Sequence, residues 1–309
     1  AGTFTYGTST VVLAANGTMT SPGVGDTEYT YNVTVNASVT HTLGSRFGVA
    51  NILTVGASGI LTGAFHIDLF ARNANPLCLG AGASVNGISG FTFGDSNTVP
   101  YNIPAATYAQ VYLRNQVATL QGAATVTFLE IGTGFIAGGN TVTVTAASAV
   151  SVATSGYITS TSGGSWTVTG AWTNDSTSAS WSFAAPITFN AGANVTMTFA
   201  GTNLAGNEFD AATFNSTAAI TYTMATRGLR LGGALSITDT LTTVGLTTSN
   251  LAVTAGSVTI GTNGTLTAGS STITVSGNWD SSAGTFTVGT STVSLGATAS
   301  IASATTSSF

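Results

Sequence analysis

Ten carboxylates, five arginines, two histidines and one cysteine carry most of the reactive chemistry available to this 309-residue chain. Two carboxylate pairs stand two residues apart, Asp26 with Glu28 and Glu208 with Asp210. On a strand, residues i and i+2 share a face. Such a pair suits the acid and base of a glycosidase, which sit about 5 to 9.5 Å apart, or a calcium ion at a corner rich in carbonyl oxygens. No rim of Trp, Arg and Lys accompanies either pair, so both read as solvated loop or corner residues. Calcium repeats of the G-G-x-G-x-D type are missing, and no cofactor is expected.

His41 and His66 lie in no metal-binding spacing, so each reads as a surface or satisfied core histidine. Cys78, alone, excludes an internal disulfide and reads as a small buried hydrophobe. Gly-rich runs lack the Lys-Ser/Thr and helix of a phosphate loop. Four tryptophans, Trp166, Trp172, Trp181 and Trp279, are candidates for stacking on sugars or for closing corners, and repetition around three of them favours the structural role. Seven Asn-x-Ser/Thr sequons, at Asn16, Asn32, Asn36, Asn174, Asn194, Asn215 and Asn263, are candidate glycan acceptors. No catalytic, cofactor-binding or metal residue is assigned, and an enzyme is not expected.

The elements that would hold these residues are strands. Alternation of apolar residues with Thr and Val runs through 3–11, 31–35, 142–145, 166–169, 195–199, 257–267 and 272–275. Beta-branched side chains suit a pleated surface and lose rotamer freedom in helices. Gly and Asn punctuate the strands every few residues, as tight corners require. Charged residues make up 5% of the chain and the formal net charge is -5, which disfavours nucleic acid and anionic membranes as partners. Polar residues interrupt every apolar run, so no spanning helix is expected, and without a basic, then apolar, then small-residue start the expectation is a mature or excised form.

Repetition selects the architecture. SWTVTGAW at 165–172 aligns with TITVSGNW at 272–279, and AGTFTVGTSTVSL at 283–295 matches AGTFTYGTSTVVL at 1–13 at all but two positions. The expectation is an all-β chain, a parallel β-solenoid with irregular rungs; tandem β-sandwich domains exchanging strands remain the alternative. Three β-repeats are expected, 1–98, 99–205 and 206–309, with a lateral insertion near 64–104 where three of five prolines fall. The stretch 199–214 departs from the pattern as well.

The phrases TITVSGNWDSSAGTFTVGTSTVSLG, GTFTYGTSTVVL, NTVPYNIPAATY and SVTIGTNGTLTAGSSTITV resemble the β-repeats of large secreted, adhesin-like bacterial surface proteins. The likeness covers most of the chain outside 64–94. It implies a secreted repetitive β-structure with an architectural or adhesive role and brings no catalytic residues. The function expected is an extracellular or cell-surface structural protein, the subunit of a self-assembling filament whose principal partner is another copy of itself. Residues 1–13 and 283–309 contain no Asp, Glu, Lys, Arg or His, so neither end is expected to form the polar cap of a solenoid. Thr3, Phe4, Thr5, Val11 and Leu13 would meet Phe286, Val288, Val293 and Leu295 of the next subunit, by stacking or strand addition. A glycan-binding adhesin segment and a carbohydrate-active β-helix enzyme are the rivals.

Overall fold

The computed structural model describes residues 8–20, 29–70, 73–94, 100–146, 149–204 and 206–303. The chain is nearly all β, and its parallel sheets form a β-solenoid of about 12 turns. Contacts group it into two compact units, Ala1–Asn140 and Thr141–Phe309.

In the first unit the strands are β1 (Thr10–Leu13), β2 (Gly17–Met19), β3 (Tyr29–Val35), β4 (Thr40–Leu43), β5 (Phe47–Val55), β6 (Ile60–Leu69), β7 (Leu77–Leu79), β8 (Ser84–Gly94), β9 (Tyr101–Ile103), β10 (Ala106–Arg114), β11 (Val117–Leu120), β12 (Ala124–Ile131) and β13 (Gly134–Gly138). Each strand pairs in parallel with a strand one turn on, so Val33 sits beside Leu53 and Leu53 beside Leu77. Tandem sandwiches would instead need antiparallel hairpins. Corners stack as well: Ser38, Ser58 and Gly82 hold left-handed conformations (φ 58°, 54° and 69°), and the Ser38 and Ser58 N–H groups each donate 2.9 Å to the next corner.

The described residues of 64–104, expected as a lateral insertion, are wall. β6 and β8 pair from Ile60↔Ser84 to Leu69↔Phe93, β7 extends β5, and β9 pairs with β11. Its prolines fall between strands, Pro76 before β7 and Pro104 after β9, where no ladder N–H is forfeited.

In the second unit the strands are β14 (Thr141–Val144), β15 (Val150–Val152), β16 (Tyr157–Ser160), β17 (Ser165–Val168), β18 (Trp172–Asn174), β19 (Ser182–Phe183), β20 (Ile187–Ala191), β21 (Val195–Thr198), β22 (Ala212–Ser216), β23 (Ile220–Ala225), β24 (Leu229–Arg230), β25 (Ala234–Ile237), β26 (Val244–Thr247), β27 (Val253–Ala255), β28 (Ser257–Ile260), β29 (Gly264–Thr267), β30 (Thr272–Val275), β31 (Trp279–Ser281), β32 (Thr285–Thr287), β33 (Thr292–Leu295) and β34 (Ile301–Ser303). They wind round three faces. The first carries β14, β17, β20, β22, β25, β28, β31 and β34. The second carries β15, β18, β21, β23, β26, β29 and β32. On the third lie β16 with β19, then β24, β27, β30 and β33.

Register stacks like on like. Phe189 lies beside Phe214, their rings stacked at 5.0 Å and 22°; Met197 lies beside Met224 and Thr247 beside Thr267. Inward residues such as Leu235, Ile237 and Leu246 are fully buried, each contributing about 1.5–3 kcal/mol of transfer free energy. The repeated phrase proves to be a strand–corner–strand unit with no fixed place on the coil: SWTVTGAW runs from the first face to the second (β17 to β18), TITVSGNW from the third to the first (β30 to β31). Corner geometry is what the phrase encodes. At Gly264 an added Cβ would fall inside contact distance of the Ile237 carbonyl oxygen, so the corner before β29 closes only on glycine.

Candidate functional site

One turn of the second unit lacks a regular third-face strand. After β21, the sequence AGTNLAGNEFD contains no alternating β-branched run, and the chain instead makes a 3-10 turn at Gly201–Asn203, with Gly201 at φ +54°. The segment rejoins the wall only at Phe209, bridged to Leu231. This irregular loop positions the least ordinary side chain of the protein.

Glu208, expected in solvent beside Asp210, is 1% exposed, whereas Asp210 is exposed. Period-two alternation breaks here because Glu208 and Phe209 both turn inward. Trp172 Nε1 donates 2.9 Å to Oε1, Asn174 Nδ2 donates 2.7 Å to the same oxygen, and the Ala200 N–H donates 2.8 Å to Oε2. The main chain is tied too: the Glu208 N–H donates to the Arg230 carbonyl and Trp181 Nε1 to the Glu208 carbonyl. Aromatic rings insulate this network, with Phe209 5.1 Å from Trp172 and Phe183 5.0 Å from Phe209, both edge to face.

Burial pushes the Glu208 pKa up to about 7, against the opposing pull of its three donors and of the Arg227 charge. Buried at 1% exposure with both oxygens already engaged by N–H donors, Glu208 does not share an open site with the exposed Asp210, as the sequence pair suggested for a cation or a catalytic acid and base. Asp26 and Glu28 lie outside the described residues. Among the described residues no group of three or more His, Cys, Asp or Glu side chains is placed to hold a metal.

Two cavities flank the loop. One, of about 370 Å3, is lined by Arg227, Arg230, Thr202, Thr226 and Thr254 among others. Arg227 is engaged: Nη1 donates 2.6 Å to Asp175 Oδ1 and 3.3 Å to the Asn174 carbonyl, and with the Asn203 amide oxygen turned toward it, Nε donates 2.9 Å there. Arg230 donates only to the Leu204 carbonyl, at 3.0 Å, and has no carboxylate partner among the described residues. The other cavity, of about 260 Å3, is lined by Trp181, Asn207 and Asp210 over Phe183 and Phe209. Gly232 makes room for both polar groups there, since a Cβ would meet Asn207 Nδ2 at 2.8 Å and Asp210 Oδ1 at 3.2 Å.

Other candidates fall elsewhere. His41 is buried in β4 with neither ring nitrogen partnered among the described residues, contrary to the reading of a surface or satisfied histidine. His66 Nε2 pairs with Thr92 Oγ1 at 2.6 Å, and burial lowers its pKa. Cys78 is half-buried rather than buried, its thiol pushed up by what burial it has. Trp166, Trp172 and Trp279 are interior, while Trp181 is half-buried.

Among the sequons, Asn174 is fully buried with Nδ2 committed to Glu208, so the folded chain offers no acceptor there. Asn32 Nδ2 donates to Thr10 Oγ1, and Asn263 Nδ2 to the Asp239 carbonyl at 3.3 Å. Asn36 and Asn215 are half-buried, Asn16 and Asn194 exposed. Of the assembly residues, Val11, Leu13, Val288, Val293 and Leu295 are half-buried and Phe286 is buried; Thr3, Phe4 and Thr5 lie outside the described residues.

Two polar arrays escaped the sequence reading. In the first unit an amide ladder climbs from turn to turn: Asn51 Nδ2 donates 2.8 Å to Asn32, Asn73 Nδ2 2.6 Å to Asn51, Asn102 Nδ2 2.9 Å to Asn75 and Gln121 Nε2 2.9 Å to Asn102. The only signal was amide residues recurring one coil length apart. On the same unit Arg46 grips Asp68 with two bonds of 2.5 and 2.9 Å, and Arg114 pairs with Glu130 at 2.8 Å. No protein-family model, curated protein or solved structure matches the chain.

Proposed function

We propose that the chain is an extracellular structural protein, a non-enzymatic subunit of a self-assembling surface filament that grows by adding coil to coil. The observation that carries this is the shared phrase of β1 and β33. Both read T-V-x-L, both alternate exposed with half-buried residues, and each pairs on one edge only among the described residues, β1 with β3 and β33 with β30. Like-on-like stacking is already the rule between neighbouring turns. A second copy's β1 laid on β33 repeats it, Thr10 on Thr292, Val11 on Val293 and Leu13 on Leu295. An open parallel edge is a template for pairing, and a heterologous contact of this kind propagates without closing. The Thr- and Ser-rich, charge-poor composition and the likeness to secreted repeat proteins support a place outside the cell.

The register supplies the test. It sets Val12 opposite Ser294, so lysines at both positions place like charges face to face, which is destabilising. Native chain should sediment as polymers, V12K/S294K as monomers, and V12K/S294E as polymers again. Monomeric native chain, or polymers indifferent to all three pairs, would sink the proposal.

A further inference from the structure

In a chain with only five arginines, two line the same cavity. They are not equivalent. Arg227 spends its donors on Asp175, the Asn174 carbonyl and Asn203, and so acts as a fixed wall. Arg230 retains donors beyond the one given to the Leu204 carbonyl, and its charge is unopposed by any carboxylate within salt-bridge reach among the described residues. It is held in place by its own backbone, whose carbonyl accepts from the Glu208 N–H at 2.7 Å.

Hydroxyls surround it. Thr254 is the register neighbour of Arg230 on β27 and is exposed. Thr202 on the 3-10 turn and Thr226, at φ +71°, are exposed at the same cavity. A guanidinium with free donors takes a carboxylate in two parallel bonds, and threonine hydroxyls both donate and accept. The volume of about 370 Å3 lies in the range of small-ligand sites, about 300–1,000 Å3. A wholly neutral ligand would leave the one unopposed charge unused.

We propose that this cavity binds an acidic sugar of the uronate class, with Arg230 receiving the carboxylate and Thr202, Thr226 and Thr254 the ring hydroxyls. The site is independent of filament growth, since none of its residues lies on β1 or β33. It would give a structural wall a specific hold on acidic polysaccharide.

Calorimetric titration of the intact chain with glucuronate, with glucose as the uncharged counterpart and with inorganic sulfate, tests the assignment. Glucuronate should bind saturably, and glucose at least tenfold more weakly. Arg230→Gln should lose at least tenfold in affinity and Thr254→Val a few-fold, while Arg114→Gln, a surface cation of the other unit, binds as before. Tryptophan fluorescence checks that each variant is folded; if Arg230→Gln is not, Thr254→Val decides. Absence of saturable glucuronate binding, equal binding of glucose, or undiminished binding by folded Arg230→Gln and Thr254→Val would overturn the assignment. Sulfate binding as tight as glucuronate would reduce the cavity to a bare anion site and overturn the sugar class.

Discussion

Trp172 and Glu208, 36 residues apart, meet inside the second unit through a 2.9 Å hydrogen bond from indole nitrogen to carboxylate. This contact joins a corner phrase of the repeat to the one loop that departs from it. It also places an ionisable group where solvent cannot relieve it.

A pH dependence follows. The folded pKa of Glu208 stands at about 7 against an ordinary 4.5, and one unit is about 1.4 kcal/mol. A raised carboxyl stabilises the fold fully below 4.5, and that contribution is withdrawn as pH rises through about 7, roughly 3 kcal/mol in all. Denaturant midpoints of the native chain should therefore fall between pH 5 and 8 relative to those of Glu208→Gln. His66, whose pKa is lowered, acts in the opposite direction but is common to both proteins and cancels in the difference. A difference that is flat, or that rises with pH, contradicts the account.

Replacing Trp172 by Phe keeps an aromatic ring among Phe183, Phe189 and Phe209 but removes one of two donors to Oε1. The expected cost is about 1.5–3 kcal/mol when Glu208 is ionised. It should shrink in the Glu208→Gln background, and a double-mutant cycle by chemical denaturation at pH 8 measures the coupling. Additive effects would mean that the bond contributes nothing to stability.

Glycines offer a contrast within one unit. Gly264→Ala drives a Cβ against the Ile237 carbonyl, whereas Gly206→Ala meets nothing within 4 Å. The first should lower the thermal midpoint of the second unit by several degrees. The second should leave it unchanged or slightly higher, through the reduced entropy of the unfolded chain. Equal midpoints would show that the corner yields.

In the first unit, Asn51→Ala removes a residue that donates to Asn32 and accepts from Asn73. A loss of about 1–3 kcal/mol is expected, since two half-buried partners lose their bonds together. Asn16→Ala, at an exposed position whose Oδ1 accepts from the Thr40 N–H, should cost less. Urea unfolding of both variants makes the comparison.

Much of this architecture is legible in the residues. The alternations at 31–35, 142–145, 166–169 and 272–275 lie on β3, β14, β17 and β30, because β-branched residues with polar neighbours admit little else. The wall at 64–104 was hidden by its composition. β8, SVNGISGFTFG, mixes glycines with its apolar residues, and its pairing is fixed by β6 and β10 rather than by its own periodicity. The phase of the repeat was hidden as well, because a corner phrase carries no information about which face it follows. Glu208 could not be read inward from EFD alone: its burial depends on Trp172 and Asn174, 36 and 34 residues away, and on the turn that aims the Ala200 N–H back at it.

Assembly is the central claim, and electron cryomicroscopy of the purified native chain tests it most directly. The account predicts filaments in which β1 of each subunit lies on β33 of the one before, at the spacing of neighbouring strands, about 4.8 Å, with Val12 opposite Ser294. Discrete monomers at concentrations well above micromolar, or filaments joined through any other surface, would contradict it.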